Sequence, residues 1–208
     1  EWVKAGRIPP CSPKTIYNWW KRINLIITKH RRKRAKLKLF NQAQRPGELV
    51  QVDVKHLPGR KYQYTAIDAF SRWRFAYAYT AFNMKNSIDF VNRLLFKAKQ
   101  KGIKIERFQT DNGSEFQSEL KNHIEQILGL KHQYIWIHTP DQNGKVERSH
   151  RTDDEEFYQE TEIDYTSLED LTGKLADWIE YYNTKRLHFA LNFDTPEEYL
   201  GKSKVSTI

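Results

Sequence analysis

From residue 48 onward the chain reads in regular periods of two and of three to four. Residues 49–57 alternate, with Val50, Val52 and Val54 on one face and Gln51, Asp53 and Lys55 on the other, which predicts a half-buried strand. Pro58-Gly59 turns the chain. Residues 61–69 (KYQYTAIDA) and 73–80 (WRFAYAYT) read as aromatic-rich strands joined at Phe70-Ser71-Arg72, an antiparallel meander. The period then lengthens, placing Met84, Ile88, Val91, Leu95 and Ala98 on one face of a helix over 84–100. A strand over 104–110, a helix over 115–128 and a short apolar strand around Tyr134–Ile137 follow. Pro140-Asp141-Gln142-Asn143-Gly144 leads into a helix over 145–158. A further helix over 167–183 carries a Thr166…Glu169 capping box and an apolar stripe of Leu168, Leu171, Leu175, Trp178, Ile179 and Tyr182. Three strands followed by helix–strand–helix–strand–helix specify an α/β chain with a mixed sheet flanked by helices.

Upstream the pattern is different. Residues 12–22 (SPKTIYNWWKR) read as a short helix with Ser12 as N-cap and Pro13 in the first turn, where a missing N–H costs nothing. Ile16, Trp19 and Trp20 supply its expected buried edge, so Trp19 and Trp20 are assigned to packing a small domain rather than to stacking on bases. Residues 29–38 hold seven Lys/Arg in ten positions, a density that opposes a core and reads as a solvated linker or arm. Gln44-Arg45-Pro46-Gly47 breaks the chain, placing a domain boundary near residues 40–47. Trp73, Trp136 and Trp178 are assigned to the core.

Composition narrows the class. The 208 residues include 38% hydrophobic side chains, with 11 Tyr, 11 Phe and 6 Trp, enough for a real core. A charged fraction of 29% and a mean hydropathy of −0.81 indicate a strongly solvated surface. No stretch approaches the roughly 18 apolar residues of a membrane span, and Glu1-Trp2-Val3-Lys4 lacks the apolar region of a secretory signal. The chain begins without Met and reads as a fragment with further residues upstream. A single cysteine, Cys11, excludes an internal disulfide and a multi-cysteine zinc site, and fits a reducing, cytoplasmic setting. The net charge of +9 is unevenly spread. Residues 1–47 carry 13 Lys/Arg against one acid, whereas residues 48–208 balance at −3. The basic excess therefore sits in the first fifth of the chain and points to a polyanionic partner.

Three of the 26 acidic residues stand in informative settings. Asp53 lies mid-strand among valines, where propensity and burial both oppose a carboxylate unless something compensates, and a divalent cation would; the alternative is an exposed edge strand. Asp111 follows Phe108-Gln109-Thr110 and precedes Asn112-Gly113, at a strand end where sites gather in α/β sheets; alone, Asp-Asn-Gly is an ordinary turn. Glu147 sits in the first turn of a helix, where its other reading is a favourable contact with the helix dipole. Together, two strand carboxylates and one helix carboxylate suit oxygen-preferring Mg²⁺ or Mn²⁺. Two such ions about 3.5–4 Å apart could activate an attacking oxygen and stabilise the departing one in phosphodiester displacement.

At these residues the chain resembles the integrase core of bacterial insertion-sequence transposases, a DDE-type relative of retroviral integrases within the ribonuclease-H-like superfamily. The matching stretches are LVQVDVKHL at 49–57, AIDAFSRW at 66–73, TDNGSEF at 110–116 and TPDQNGKVERSHRT at 139–152. Thirty-five residues separate Asp111 from Glu147, the family's spacing. The segment YYNTKRLHFAL…TPEEYL over 181–200 resembles the family's closing portion, with His188 where the family usually has Pro. The resemblance implies a ribonuclease-H-like mixed five-stranded sheet over 48–200, with 201–208 as a tail. It also implies that residues 1–28 end a helix-turn-helix and that 29–47 form a basic linker.

The implied activity is metal-dependent DNA 3′-end cleavage and strand transfer, with Asp53, Asp111 and Glu147 holding two Mg²⁺, Mn²⁺ substituting. The implied partners are double-stranded DNA (element terminal repeats and target) and further copies of the chain, as a homo-dimer or larger assembly that holds two DNA ends. Asn143 and Gly144 belong to the approach to the catalytic helix, and Lys145, Arg148 and Arg151 are candidate phosphate contacts, Arg151 sharing Glu147's face. Lys29, Arg31, Arg32, Lys33 and Arg34 form the DNA-binding arm, and Lys14, Thr15, Tyr17 and Asn18 the reading face of the 12–22 helix. Asp68 and Arg72 are assigned to stabilising a strand end. An acidic run, Asp153-Asp154-Glu155-Glu156, departs from viral relatives and puts the DNA path along that helix in question. Two rival readings remain open: a nuclease on the same fold that cleaves without joining, and a DNA-binding remnant whose core only supports assembly.

Overall fold

The computed structural model describes residues 12–23, 43–111, 119–135 and 143–205. It divides into two compact units, Glu1–Phe40 and Asn41–Ile208. In the first, helix α1 (Pro13–Arg22) starts at Ser12, whose hydroxyl accepts the Thr15 N–H at 3.1 Å, and Lys21 and Arg22 complement the dipole in the last turn. The buried edge expected of Trp19 and Trp20 is not seen among the described residues. Among those residues the two side chains are 58% and 45% exposed. The basic arm at 29–38 lies outside the described residues.

The second unit is built on β1 (Val50–Leu57), β2 (Lys61–Asp68), β3 (Arg74–Tyr79), β4 (Arg107–Thr110) and β5 (Lys131–Tyr134), ordered β3-β2-β1-β4-β5. The first three strands form the antiparallel meander, with Val50 opposite Asp68 and Thr65 opposite Ala76. β4 and β5 run parallel to β1. Two antiparallel pairings on one side of β1 and two parallel pairings on the other make this a mixed sheet.

Strand alternation sends two different surfaces to the two layers of helices. Val50, Val52, Tyr64, Ala66 and Phe108 face α2 (Met84–Gln100), whose Phe90, Val91, Leu94 and Ala98 complete the larger core. Each of the valines, Leu94 and the phenylalanines, fully buried, stabilises the fold by about 1.5–3 kcal/mol. The opposite face carries Ala76 and Ala78, small enough for α5 (Leu168–Thr184) to lie close and pack Leu171, Leu175, Trp178 and Ile179 onto them. Near β1 and β4 that same face is polar: Gln51, Asp53 and Gln109 look towards α4 (Gly144–Asp153), which continues through a π-helical turn at Asp154–Tyr158.

Several boundaries differ from the sequence pattern. β4 begins at Arg107 rather than 104, because Ile103 and Ile105 are buried in extended coil. β5 spans Lys131–Tyr134 rather than Tyr134–Ile137; as the sheet's edge it needs no apolar run, and residues 136–137, with Trp136, lie outside the described residues. The helix expected over 115–128 is described from Glu119, as α3 (Glu119–Asn122) continuing into a π-helical turn at His123–Ile127. The cap of α5 is Ser167, whose hydroxyl accepts the Asp170 N–H at 3.1 Å, while Thr166 Oγ1 donates to Asp164 instead. A last helix, α6 (Pro196–Val205), extends past residue 200 into the stretch expected to be tail.

Candidate active site

Asp53 is the fourth residue of β1, on its polar face. The parallel ladder pairs Val50 with Phe108 and Gln51 with Gln109. Continued two residues past the last paired position, that offset would set Asp53 level with Asp111, the residue after β4, and level residues on parallel neighbours point to the same side of a sheet. Asp53 Oδ1 accepts the Val54 N–H at 2.9 Å, and Oδ2 lies 3.5 Å from His150 Nδ1 on α4. Burial, reinforced by the positive charge of Arg74, pushes the His150 imidazole down to about 3, so this contact joins a carboxylate to a neutral ring. The Asp53 side chain keeps 23% of its surface open to solvent, enough for a ligand to reach it.

Glu147 stands exposed in the first turn of α4, one residue after the fully buried Val146 and one turn before His150. The start of α4 rests on β1: Gln51 Oε1 accepts the N–H of Lys145 at 3.1 Å and of Val146 at 3.3 Å. Thus β1 carries Asp53, neighbours the strand leading to Asp111, and holds the helix bearing Glu147. Among the described residues no three His, Cys, Asp or Glu side chains converge as a ready-made cation cage. Residues 112–118 and 136–142, which adjoin Asp111 and the start of α4, lie outside the description. The donor chemistry nevertheless fits Mg²⁺ or Mn²⁺: three carboxylates on neighbouring elements, with no thiolate among the candidates.

The acidic run proves to be structural. Asp153 is wholly buried, with Arg74 donating to both its oxygens, Trp178 Nε1 donating at 2.7 Å and Gln63 Nε2 at 2.8 Å. Asp154 pairs with Lys55 at 2.6 Å, Glu156 with Arg186 at 2.7 Å, and Glu155 approaches Arg148 at 4.0 Å. Sequence reasoning missed Gln51, Gln63, Arg74, His150 and the inward role of Asp153. One signal was present for Arg74: a lone cation in step with Ala76 and Ala78 on a close-packed face demands a buried partner.

The candidate DNA contacts scatter. Asn143 is 2% exposed, with its Nδ2 turned to the Val52 carbonyl at 3.5 Å, so its side chain faces β1. A Cβ added at Gly144 would meet nothing within 4 Å, leaving its backbone open to approach. Lys145 is half-buried and held down to about 8 by burial and by Arg72. Arg148 and Arg151 are exposed. On α1, Lys14, Tyr17 and Asn18 are exposed, while Thr15 serves the cap; Lys29, Arg31, Arg32, Lys33 and Arg34 lie outside the described residues. Asp68 ends β2, accepting the Gly47 N–H at 2.9 Å and the Ser71 N–H at 2.8 Å. Arg72 Nη1 donates to the Ala69 carbonyl at 2.6 Å.

Comparison with known proteins points one way. The family described as integrase core domain matches residues 43–140 and, in a second form, residues 128–196. A protein called putative integrase ORF3, of Spiroplasma virus SpV1-C74, is 30% identical over 213 residues, covering 92% of this chain and 58% of that protein. The putative transposase InsD for insertion element IS2E of Escherichia coli (strain K12) is 31% identical over 97 residues, covering 44% of this chain and 41% of that protein. The chain thus spans less than two thirds of either relative. Among solved structures, the catalytic core domain of BIV integrase superposes with a TM-score of 0.59 at 18% identity, over 77% of this chain and 98% of that one. A simian T-cell lymphotropic virus intasome, in complex with PP2A regulatory subunit B56 gamma, superposes with a TM-score of 0.60 at 15% identity, over 91% and 70%. The fold is that of the retroviral integrase core, ribonuclease-H-like.

Proposed function

The chain belongs to the integrase core family, and on that footing we propose that it is a transposase or integrase that cleaves DNA 3′ ends and transfers them to target DNA. The observation that supports the reading is the shared use of β1: Asp53 is on it, Asp111 directly follows its parallel neighbour β4, and the helix of Glu147 is capped by it. Asp53, Asp111 and Glu147 would hold two Mg²⁺, or Mn²⁺ in their place. When bound, the ions supply activation of the attacking oxygen and neutralisation of the charge on the departing one.

The chain's own residues do the rest. Asp53 is held against the strand by the Val54 amide and flanked by neutral His150, which adds no competing charge. Arg148 and Arg151, exposed beyond Glu147, steer backbone phosphates, and the open backbone at Gly144, held in place by buried Asn143 and joined by Lys145, lets DNA come close. Lys14, Thr15, Tyr17 and Asn18 read the element's terminal repeats, and Lys29, Arg31, Arg32, Lys33 and Arg34 provide sequence-independent affinity. Joining two ends requires a homo-dimer or larger assembly, working beside the nucleoid in the cytoplasm.

The test is incubation of the chain with Mn²⁺ and a pre-cleaved terminal-repeat duplex. Joined products are expected, and Glu147→Gln should abolish them while leaving DNA binding intact. Products of hydrolysis alone would favour a nuclease, and full joining by Glu147→Gln would overturn the catalytic assignment.

A further inference from the structure

Helix α4 does not cap itself. The first amides of any helix lack partners within it and need an acceptor from elsewhere. Asn143 occupies the N-cap position, yet its side chain makes no cap hydrogen bond; Nδ2 faces the Val52 carbonyl and Oδ1 is buried without a partner. The acceptor comes instead from Gln51, 3% exposed, whose single Oε1 takes both the Lys145 and the Val146 amides. Gln51 precedes Asp53 by two residues on the same face of β1, about 7 Å away along the strand.

We propose that Gln51 is a positioning residue that keys Glu147 to Asp53, by fixing the start of the Glu147 helix to the strand that bears Asp53. This rests on the metal-dependent reading above. The height and phase of α4 are set from β1 and not from the preceding loop alone, because the capped amides are those immediately before Glu147. The device is braced from both sides. Gln51, Gln109 and Gln133 stand level on three adjacent strands, with Gln133 Nε2 donating to Gln109 Oε1 at 2.6 Å, one row beneath Asp53 and Asp111. At its far end α4 is pinned by Asp153 under Arg74. With the far end fixed, losing the Gln51 acceptor frees only the end where Glu147 stands.

Amide hydrogen exchange and Mn²⁺ calorimetry on the chain test this. Gln51→Met keeps the volume and removes the acceptor. It should speed exchange at Lys145 and Val146, leave the β1 and β4 core amides Val52 and Phe108 unchanged, and weaken Mn²⁺ binding by about tenfold to a hundredfold. Gln51→Glu keeps an acceptor oxygen and should restore the protection of both amides. Should Gln51→Met fail to fold, Gln51→Asn retains a polar group withdrawn by one methylene and should show the same two losses. Unchanged protection in these variants, or lost protection with unchanged Mn²⁺ affinity, would overturn the proposal. A wild-type chain that binds no Mn²⁺ would take the positioning role down with the metal reading itself; that failure is recognisable because the exchange measurement needs no cation.

Discussion

Arg74 and Asp153 meet wholly out of solvent in a two-pronged pair, with Arg74 Nη1 2.6 Å from Asp153 Oδ1. The pair joins three elements. Arg74 is on edge strand β3, Asp153 closes α4, and α5 supplies both Trp178 to the carboxylate and Asn183 to the Arg74 backbone, at 2.9 Å and 2.7 Å. Burial pushes the Asp153 carboxyl up, but the guanidinium outweighs it and holds the group below the usual carboxylate range. The same helix that offers Glu147 to solvent is thus anchored by a second acid six residues later.

Removing one partner of such a pair strands a charge in the interior. Asp153→Asn should cost about 3–5 kcal/mol of stability in urea unfolding, because among the described residues no other acid faces Arg74. The double variant Arg74→Met with Asp153→Leu should cost less than the two single changes summed, since no charge is left behind. A single variant within about 1 kcal/mol of wild type would contradict this.

Gly47 is a position that only glycine fits. Its φ of +80° suits glycine, and a Cβ there would lie 2.1 Å from the Lys104 carbonyl oxygen. Its N–H goes to Asp68 and its carbonyl accepts the Glu106 N–H at 2.8 Å, so the backbone has no room to yield. Gly47→Ala should lose about 1–3 kcal/mol from backbone strain alone, with the clash adding to it. Thermal unfolding checks it, and an alanine variant as stable as wild type would show that residues 103–106 move freely.

Gly47 also marks where the sequence was legible and where it was not. Pro46-Gly47 reads as a break because glycine and proline punctuate chains, but nothing local reveals that Gly47 is clamped between Asp68 and Glu106. Strand alternation correctly sorted Val50, Val52 and Val54 from Gln51, Asp53 and Lys55, since one face is apolar and the other is not. It failed at β5, where Lys131, His132 and Gln133 form an edge strand with no apolar signature. The α6 helix was missed although its signal was written in Thr-Pro-Glu-Glu: Thr195 Oγ1 accepts the Glu198 N–H and Glu198 Oε2 accepts the Thr195 N–H, a reciprocal capping box. At the site, Asp53, Asp111 and Glu147 could be chosen from motif and spacing. The partners Gln51, Arg74 and His150 could not, because their roles exist only once distant elements meet.

Three histidines set an acid-side dependence of stability: His150 beside Asp53 and two others. Burial, reinforced by nearby Arg186, holds the His188 ring down to about 4, and burial, against nearby Glu125, does the same for His132. Each also has a buried ring nitrogen without a partner, so a further proton would have no acceptor. With folded values below the ordinary 6.5, the unfolded chain takes up protons first as pH falls. The stabilisation is complete above pH 6.5 and declines as pH drops towards 4. The urea midpoint should therefore fall from pH 7 to pH 5, and His188→Gln should flatten that slope. A wild-type midpoint constant across this window would refute the assignment.

The last prediction concerns residues 29–38, where seven Lys/Arg crowd ten positions while residues 48–208 balance at −3. A core of that balance gives little general attraction to a polyanion, so sequence-independent DNA affinity must come mainly from the N-terminal fifth. Each phosphate neutralised releases condensed counterions, and log affinity falls with log salt by about 0.9 per contact. Neutralising Lys33 and Arg34 together should therefore weaken duplex binding at low salt and reduce the magnitude of the salt slope by about 2. Because neither residue is near Asp53, Asp111 or Glu147 in sequence, the joining step should proceed at its normal rate once DNA is saturating. Binding measured by anisotropy across a salt series decides it: an unchanged slope would mean that these side chains touch no phosphate, and that the arm's charge serves something other than DNA.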